Sequence, residues 1–158
     1  MDQQLLARRS NAVVRKWPRL QRAFGRVHAR LYVRSGGRFL PHWFAGAPVL
    51  VLETVGRRSE QVRRTPLLYL RDGESLVVLA ANAGAARTPA WWLNLRDAGA
   101  GRVFIGRRST IVRPRVLAGQ ERDRLWAGFV SMYPQAAYYP AFTDRELPLI
   151  ALTPGEAR

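Results

Sequence analysis

The sequence predicts an α+β fold: a small antiparallel β-barrel of about six strands, helices outside it, and an amphipathic helix at the N-terminus. Three observations predict it. Short β-branched and apolar runs between residues 48 and 152 are punctuated by glycine, Asp-Gly and proline. Two segments with helical spacing fall between those runs. Residues 1–34 show a three-and-four spacing instead of alternation. At 158 residues and 17.9 kDa the chain suits one compact core. The division is a basic helical segment over 1–34 and a barrel domain over 45–153.

The elements follow in order. In residues 1–34 the apolar positions Val13, Trp17, Leu20, Phe24, Val27 and Leu31 recur every three or four residues, as do Arg15, Arg19, Arg22, Arg26 and Arg30. At about 100° per residue these stripes lie on nearly opposite faces. Pro18 begins a helix or kinks one, and Ser35-Gly36-Gly37 reads as a flexible break. Two readings stand: a helix packed on the core through its apolar stripe, or one lying on an anionic membrane surface.

Residues 48–55 (PVLVLETV) read as a strand closed by Gly56. Residues 61–71 lead through LLYLR to the Asp72-Gly73 turn, and 75–81 form the return strand, making a meander or hairpin. Residues 89–98 read as a helix with Thr88 as N-cap and Pro89 at its first position. Residues 102–105 and 109–117 form a hairpin around Gly106. A helix over 121–132 places Leu125, Phe129 and Met132 on one side. Residues 136–142 are short helix or loop, and 147–152 close as a strand.

Composition restricts the chemistry. Cysteine is absent and there are two histidines, His28 and His42. Disulfides, iron–sulfur clusters, thiolate–zinc sites and cysteine nucleophiles are excluded, and a histidine-rich metal centre is disfavoured. No G-x-S-x-G, P-loop or G-x-G-x-x-G motif occurs. Twenty-six Lys+Arg against eleven Asp+Glu give +15, and every basic residue but Lys16 is arginine. Such an excess implies an anionic partner: nucleic acid, a membrane surface, or a phosphate- or carboxylate-bearing small molecule. No apolar run approaches the ~18 residues a membrane span needs. With no secretory leader pattern at its start, the chain is expected in the cytoplasm or on the inner face of the membrane.

Three stretches hold the candidate chemistry. In TVGRRSEQVRRTPLL (54–68), Arg57, Arg58, Arg63 and Arg64 follow a glycine turn, with hydroxyls from Ser59 and Thr65. Guanidinium forks around a tight turn suit a phosphate or carboxylate, though a solvated basic hairpin has the same spacing. In AANAGAARTPAWWLN (80–94), small residues after a strand admit a flat ligand. There Trp91 and Trp92 offer an aromatic wall or ordinary core, and Asn94 a polar handle. In WAGFVSMYPQAAYYPAF (126–142), Tyr133, Tyr138, Tyr139 and Phe142 cluster between prolines, and each tyrosine adds a hydroxyl to an apolar wall.

The ordered motifs TxGRRS…RRTPLLYLRDG, AANAGAARTPAWWLNLRD and MYP…YYPAFTDRELPLIAL, spanning about residues 45–153, resemble the deazaflavin-dependent nitroreductase family. That resemblance implies a split β-barrel binding coenzyme F420. In the family the glycine–arginine turn and the following R-x-x-P-L grip the coenzyme's phosphate and oligoglutamate tail. This puts Arg57, Arg58, Ser59, Arg63, Arg64, Thr65, Pro66 and Leu67 at the tail here. The strand end Leu79, Ala80 and Ala81, with Ala90, Trp91, Trp92 and Asn94, would line the deazaflavin ring. Tyr133 and Tyr139 would face the substrate as catalytic residues. Leu68 and Ala136 stand where nitro-reducing relatives have tyrosines, and Ala81 replaces a hydroxyl residue.

The implied reaction moves a hydride from reduced coenzyme F420 to an electron-poor acceptor: a quinone, an activated C=C bond or a nitro compound. Split barrels often pair, so a homodimer is a further expectation. The competing readings are a non-catalytic split-barrel binder of a flavin, haem or fatty acid and, ranked last, a nucleic-acid binder. Against the last, the arginines concentrate in a loop and the first helix and are not interleaved with stacking aromatics. No nucleic-acid partner is therefore expected.

Overall fold

The computed structural model describes residues 18–38 and 46–155. Its elements are α1 (Pro18–Arg34), β1 (Val49–Val55), β2 (Val62–Leu68), β3 (Leu70–Asp72), β4 (Ser75–Leu79), a 3-10 turn (Asn82–Gly84), α2 (Ala90–Ala98), β5 (Gly101–Ile105), β6 (Arg108–Val116), α3 (Gly119–Met132), a 3-10 segment (Pro134–Phe142) and β7 (Leu149–Pro154). The expectations placed on Val13, Arg15, Trp17 and His42 lie outside the described residues.

All seven strands belong to one antiparallel sheet in the order β2-β1-β5-β6-β7-β4-β3. Its two edge strands, β2 and β3, are separated in the chain by Tyr69 alone. One residue cannot bridge the width of a flat seven-stranded sheet, because neighbouring strands lie about 4.8 Å apart. The sheet therefore curls until its edges meet at Tyr69, which gives the α+β split barrel. The seventh strand is the part that the sequence pattern ran together. The LLYLR run divides at Tyr69, whose N–H donates to the Pro48 carbonyl at 3.2 Å, so its two halves serve opposite edges.

Strand alternation sorts the side chains into layers. Inside the curl, Leu50, Leu52, Leu76, Val78, Ala80, Val103, Val112, Ile150 and Leu152 pack with Trp91, Trp92 and Leu95, so α2 plugs the barrel. On the outer face, Val77, Ala81, Leu149 and Ala151 pack under Leu125 and Phe129 of α3 and under Ala136 and Tyr139 of the 3-10 segment. Elsewhere on that outer face, Val51 meets Ala29 and Tyr32 of α1. Each fully buried leucine contributes roughly 1.5–3 kcal/mol.

The first helix docks through a face other than its aliphatic stripe. Gly25, Ala29 and Tyr32, spaced i, i+4 and i+7, face the sheet. Pro66 lies 3.9 Å from where a Gly25 Cβ would stand, and Tyr32 donates to the Val49 carbonyl at 3.1 Å while accepting the Gly106 N–H at 3.1 Å. Small residues let the helix come close, and the tyrosine hydroxyl satisfies two backbone groups at once. Of the two readings left open for the apolar stripe, its members Val27 and Leu31 do not follow the core-packed one: they are 56% and 41% exposed. The Ser35-Gly36-Gly37 break expected from the sequence is a turn directly after the helix. It is a hydrogen-bonded helix cap in which the Gly37 N–H donates to Tyr32 at 2.8 Å. Gly37 sits at φ +80, where a Cβ would collide with Gly106 Cα.

The second helix starts one residue later than the sequence suggests. Pro89 (φ −63, ψ 136) occupies the cap position and Ala90 is the first helical residue, with no side-chain cap. The Pro89 carbonyl accepts from Trp92 and Leu93 at 3.2 and 3.4 Å. Thr88 lies one position too far out to cap, since a side-chain cap must reach the N–H groups of the first turn.

Candidate active site

The glycine–arginine turn is built by its own backbone. After β1, the Gly56 N–H donates to Gln61 at 2.8 Å and the Gly56 carbonyl accepts from Ser59 and Glu60 at 3.1 and 2.7 Å, with Glu60 at φ 54. Arg57, Arg58 and Ser59 lie exposed on this turn. The Arg57 N–H donates to Asn94 Oδ1 at 3.2 Å, and its Nε lies 3.6 Å from Asp97. Arg63 Nη2 donates to Ser59 Oγ at 3.3 Å. Among the described residues, Arg58 and Arg63 have no carboxylate partner.

Alternation along β2 divides the predicted tail-binding set. Arg63, Thr65 and Leu67 oppose Thr54, Leu52 and Leu50 on the inner face, and Leu67 packs with the interior cluster. Arg64 and Pro66 point the other way. Arg64 donates to Glu53 Oε2 at 2.7 Å and stacks 5.5 Å over Phe104, while Pro66 lies under α1. These two residues are thus separated from the arginine turn by the strand's pleat, which a run of consecutive residues does not reveal.

The strand end divides in the same way. Ala80 faces the tryptophans, and Leu79 and Ala81 face the tyrosines. Trp91 and Trp92 are both core, edge to face at 6.3 Å and 62°. Ala90 is exposed at the start of α2 and Asn94 is buried about one turn further on. Helix α2 therefore links the arginine turn, through Asn94, to the β4 end, through its tryptophans.

Tyr133 and Tyr139 come together: their rings lie 6.5 Å apart and the Tyr139 hydroxyl donates to the Tyr133 hydroxyl at 3.4 Å. Tyr139 is buried, and burial first, then the neighbouring Tyr133, pushes its phenol well above the usual tyrosine range. It stays protonated. Tyr133 is half-buried. Below both, residues 82–84 form a left-handed turn: Asn82, Ala83 and Gly84 have φ 49, 51 and 75. At Gly84 a Cβ would crowd the Tyr139 carbonyl at 3.0 Å and Phe142 at 3.1 Å, so this close approach requires glycine.

Sequence reasoning missed Arg145. Its Nε donates to the Ala85 carbonyl at 2.8 Å, Nη1 to Ala80 and Glu146 at 3.0 and 3.1 Å, and Nη2 to Ala81. Burial lowers its pKa from the ordinary arginine value. The TDREL segment showed one arginine among many, and nothing in its spacing marked it.

A cavity of about 280 Å³ opens elsewhere on the barrel, between Arg71, Glu74, Leu76, Ile105, Arg108 and Leu152. None of the predicted site residues lines it.

Comparisons with known proteins identify the family. The sequence model of the family described as F420H(2)-dependent quinone reductase matches residues 24–154. The chain belongs to that family. An F420H(2)-dependent quinone reductase of Mycobacterium tuberculosis (strain ATCC 25618 / H37Rv) is 32% identical over 133 residues, 81% of this chain and 88% of that protein. A solved F420-H2 dependent reductase of the FDR-A type superposes with a TM-score of 0.60 at 27% identity, over 66% of this chain and 93% of that one. A structure described as a domain-swapped dimer shares the fold, with a TM-score of 0.63 at 24% identity over 87% and 97% of the two chains. This member of the quinone reductase family is accordingly a reductase whose cofactor is reduced coenzyme F420.

Proposed function

We propose that this chain reduces a quinone, with the coenzyme's anionic tail at the arginine turn and its ring between the β4 end and the tyrosines. The observation that carries the reading is the Arg57–Asn94 hydrogen bond, which fastens the turn to the helix whose tryptophans pack on the β4 end. The donor set fits the coenzyme's chemistry. Arg58 and Arg63 lack carboxylate partners among the described residues, and guanidinium forks suit phosphate and carboxylate oxygens. Ala80 and Ala81 put no bulk where a flat ring approaches. Arg64 and Pro66, on the far side of β2, shape the strand and do not touch the tail.

Reduced coenzyme F420 supplies the hydride. The protein's own part is to hold the reactants close, exclude water and place a proton donor. Tyr139, kept protonated, donates to Tyr133, which leaves the Tyr133 hydroxyl hydrogen to turn toward the acceptor oxygen as charge develops there. A quinone is favoured over nitro and activated C=C acceptors by the family name and by the alanine at position 136 and leucine at 68, which remove polar contacts from that wall.

The same reading gives α1 a role. Its outward side presents Val27 and Leu31 next to Arg26, Arg30 and Arg34, an aliphatic stripe beside a cationic one. This suits the inner face of an anionic membrane, where a lipid-soluble quinone resides. No described helix is long and apolar enough to cross a membrane.

The decisive test mixes the protein with oxidised coenzyme F420 and, separately, FMN, following fluorescence. Turnover of the reduced coenzyme is then measured with a quinone, a nitroarene and an enone. Selective coenzyme binding with quinone turnover is expected. Binding of FMN, haem or fatty acid with no turnover of reduced coenzyme would replace the reading with that of a carrier.

A further inference from the structure

Arg145 is a side chain whose donors are spent on backbone carbonyls, and those carbonyls belong to the segment that the proposed function assigns to the ring. One guanidinium reaches Ala80, Ala81 and Ala85 as well as its neighbour Glu146. Arginine's planar fork is suited to this because its donors diverge in fixed directions, and lysine's point charge cannot span the three alanine carbonyls at once.

The segment it holds is one that would not hold itself. Asn82 and Ala83 both sit at positive φ, a conformation that non-glycine residues adopt at a cost. The strain persists when the surroundings over-determine it. Here the surroundings are the Arg145 contacts, an Asn82 side-chain hydrogen bond to the Arg87 carbonyl at 3.1 Å, and the Gly84 packing against Tyr139 and Phe142. Arg145 itself is anchored on the opposite wall: its N–H donates to Thr143 Oγ1 at 3.3 Å, directly after the segment that carries Tyr139. The residue thus ties the alanine loop to the tyrosine segment. Ala81, in the αR region and followed by left-handed Asn82, turns successive N–H groups toward one point.

We infer that Arg145 is a positioning residue, which sets the separation and orientation of the Ala80–Ala85 loop relative to Tyr133 and Tyr139 and so the alignment of hydride donor with acceptor. This rests on the reading in which that loop seats the deazaflavin ring. The arginine touches neither reactant. It acts through the carbonyls it holds, and its effect therefore falls on the ring and not on the tail.

The test uses Arg145→Lys and Arg145→Gly in the full chain. For both, kcat at saturating coenzyme and quinone should fall about a hundredfold, as expected when reacting groups are displaced by about 1 Å. The coenzyme Kd should change by less than about threefold, because the arginine turn still grips the tail. The fluorescence of the bound ring should shift toward its value in water, which a purely structural staple would not cause while binding and fold survive. Added guanidinium should restore part of the turnover of Arg145→Gly. Wild-type kcat and bound-ring fluorescence in both variants would overturn the inference. So would unfolding that lowers binding and turnover in parallel and is not relieved by guanidinium. Absence of any coenzyme binding by the wild-type chain would instead overturn the underlying functional reading.

Discussion

Asn94 Oδ1 accepts the Arg57 backbone N–H at 3.2 Å across 37 residues of sequence, and this bond fixes the arginine turn on the barrel. Asn94 is buried on α2, so its amide is held by the core while its acceptor serves the turn. Replacing it by alanine should weaken coenzyme binding about tenfold by freeing the turn, and should cost about 1 kcal/mol of stability for the hydrogen bond lost. Isothermal titration and denaturant unfolding measure the two separately; unchanged affinity would remove the turn from the binding site.

The pleat of β2 predicts a sharp contrast between neighbours in sequence. Arg58→Gln and Arg63→Gln should each weaken the coenzyme by about tenfold, or ~1.4 kcal/mol, and hardly affect a deazaflavin lacking phosphate and glutamate. Arg64→Gln should leave coenzyme binding as it is, since its guanidinium is engaged by Glu53 at 2.7 Å on the other face. Equal losses in all three variants would indicate a diffuse charge effect in place of a site.

The tyrosine pair should act unequally. Tyr133→Phe removes the proposed donor to the acceptor oxygen, and kcat should drop about 10–100-fold with coenzyme Kd unchanged. Tyr139→Phe removes the bond behind that donor and should have a smaller effect. Steady-state kinetics on the single variants and the double one decide it; full activity in the double Phe variant would exclude tyrosine from the chemistry.

Protonation of Tyr139 makes stability depend on alkaline pH. The folded state raises its pKa above the unfolded value of about 10, so its contribution is fully present below that pH and is lost as the pH rises toward the folded value. Phenolate absorbance in the native protein should lack one tyrosine, and Tyr139→Phe should remove no titrating group until unfolding. At the acid end, Arg124 holds the Asp72 carboxyl, and Arg115 the Glu121 carboxyl, below the usual range. Those pairs favour folding above the unfolded carboxylate pKa and lose their contribution as the pH falls through the lowered one. Both are exposed, so the acid effect should be small and salt-sensitive.

The outward side of α1 should bind membranes. Val27→Glu with Leu31→Glu removes exposed side chains without touching the Gly25–Ala29–Tyr32 docking face. Co-sedimentation with anionic vesicles should fall at least about tenfold, circular dichroism should stay the same, and high salt should weaken the wild-type interaction. Equal pelleting of the variant would assign this surface to another partner.

The sequence by itself determined the chemistry available and most of the local structure. Absent cysteine and scarce histidine left a binding module or an enzyme relying on an organic cofactor, the arginine turn and tyrosine segment were visible as motifs, and glycine, Asp-Gly and proline marked the element ends, because those signals act over a few residues. What tertiary structure decided was which side of each element faces what. It divided LLYLR at Tyr69 between two sheet edges, sent Arg63 inward and Arg64 outward, buried both tryptophans, and turned Val27 and Leu31 to solvent because Tyr32 found two backbone partners on the sheet. Arg145 became visible only when the fold brought three alanine carbonyls within reach of one guanidinium. Periodicity reports that an element has two faces; long-range packing and hydrogen bonding choose between them.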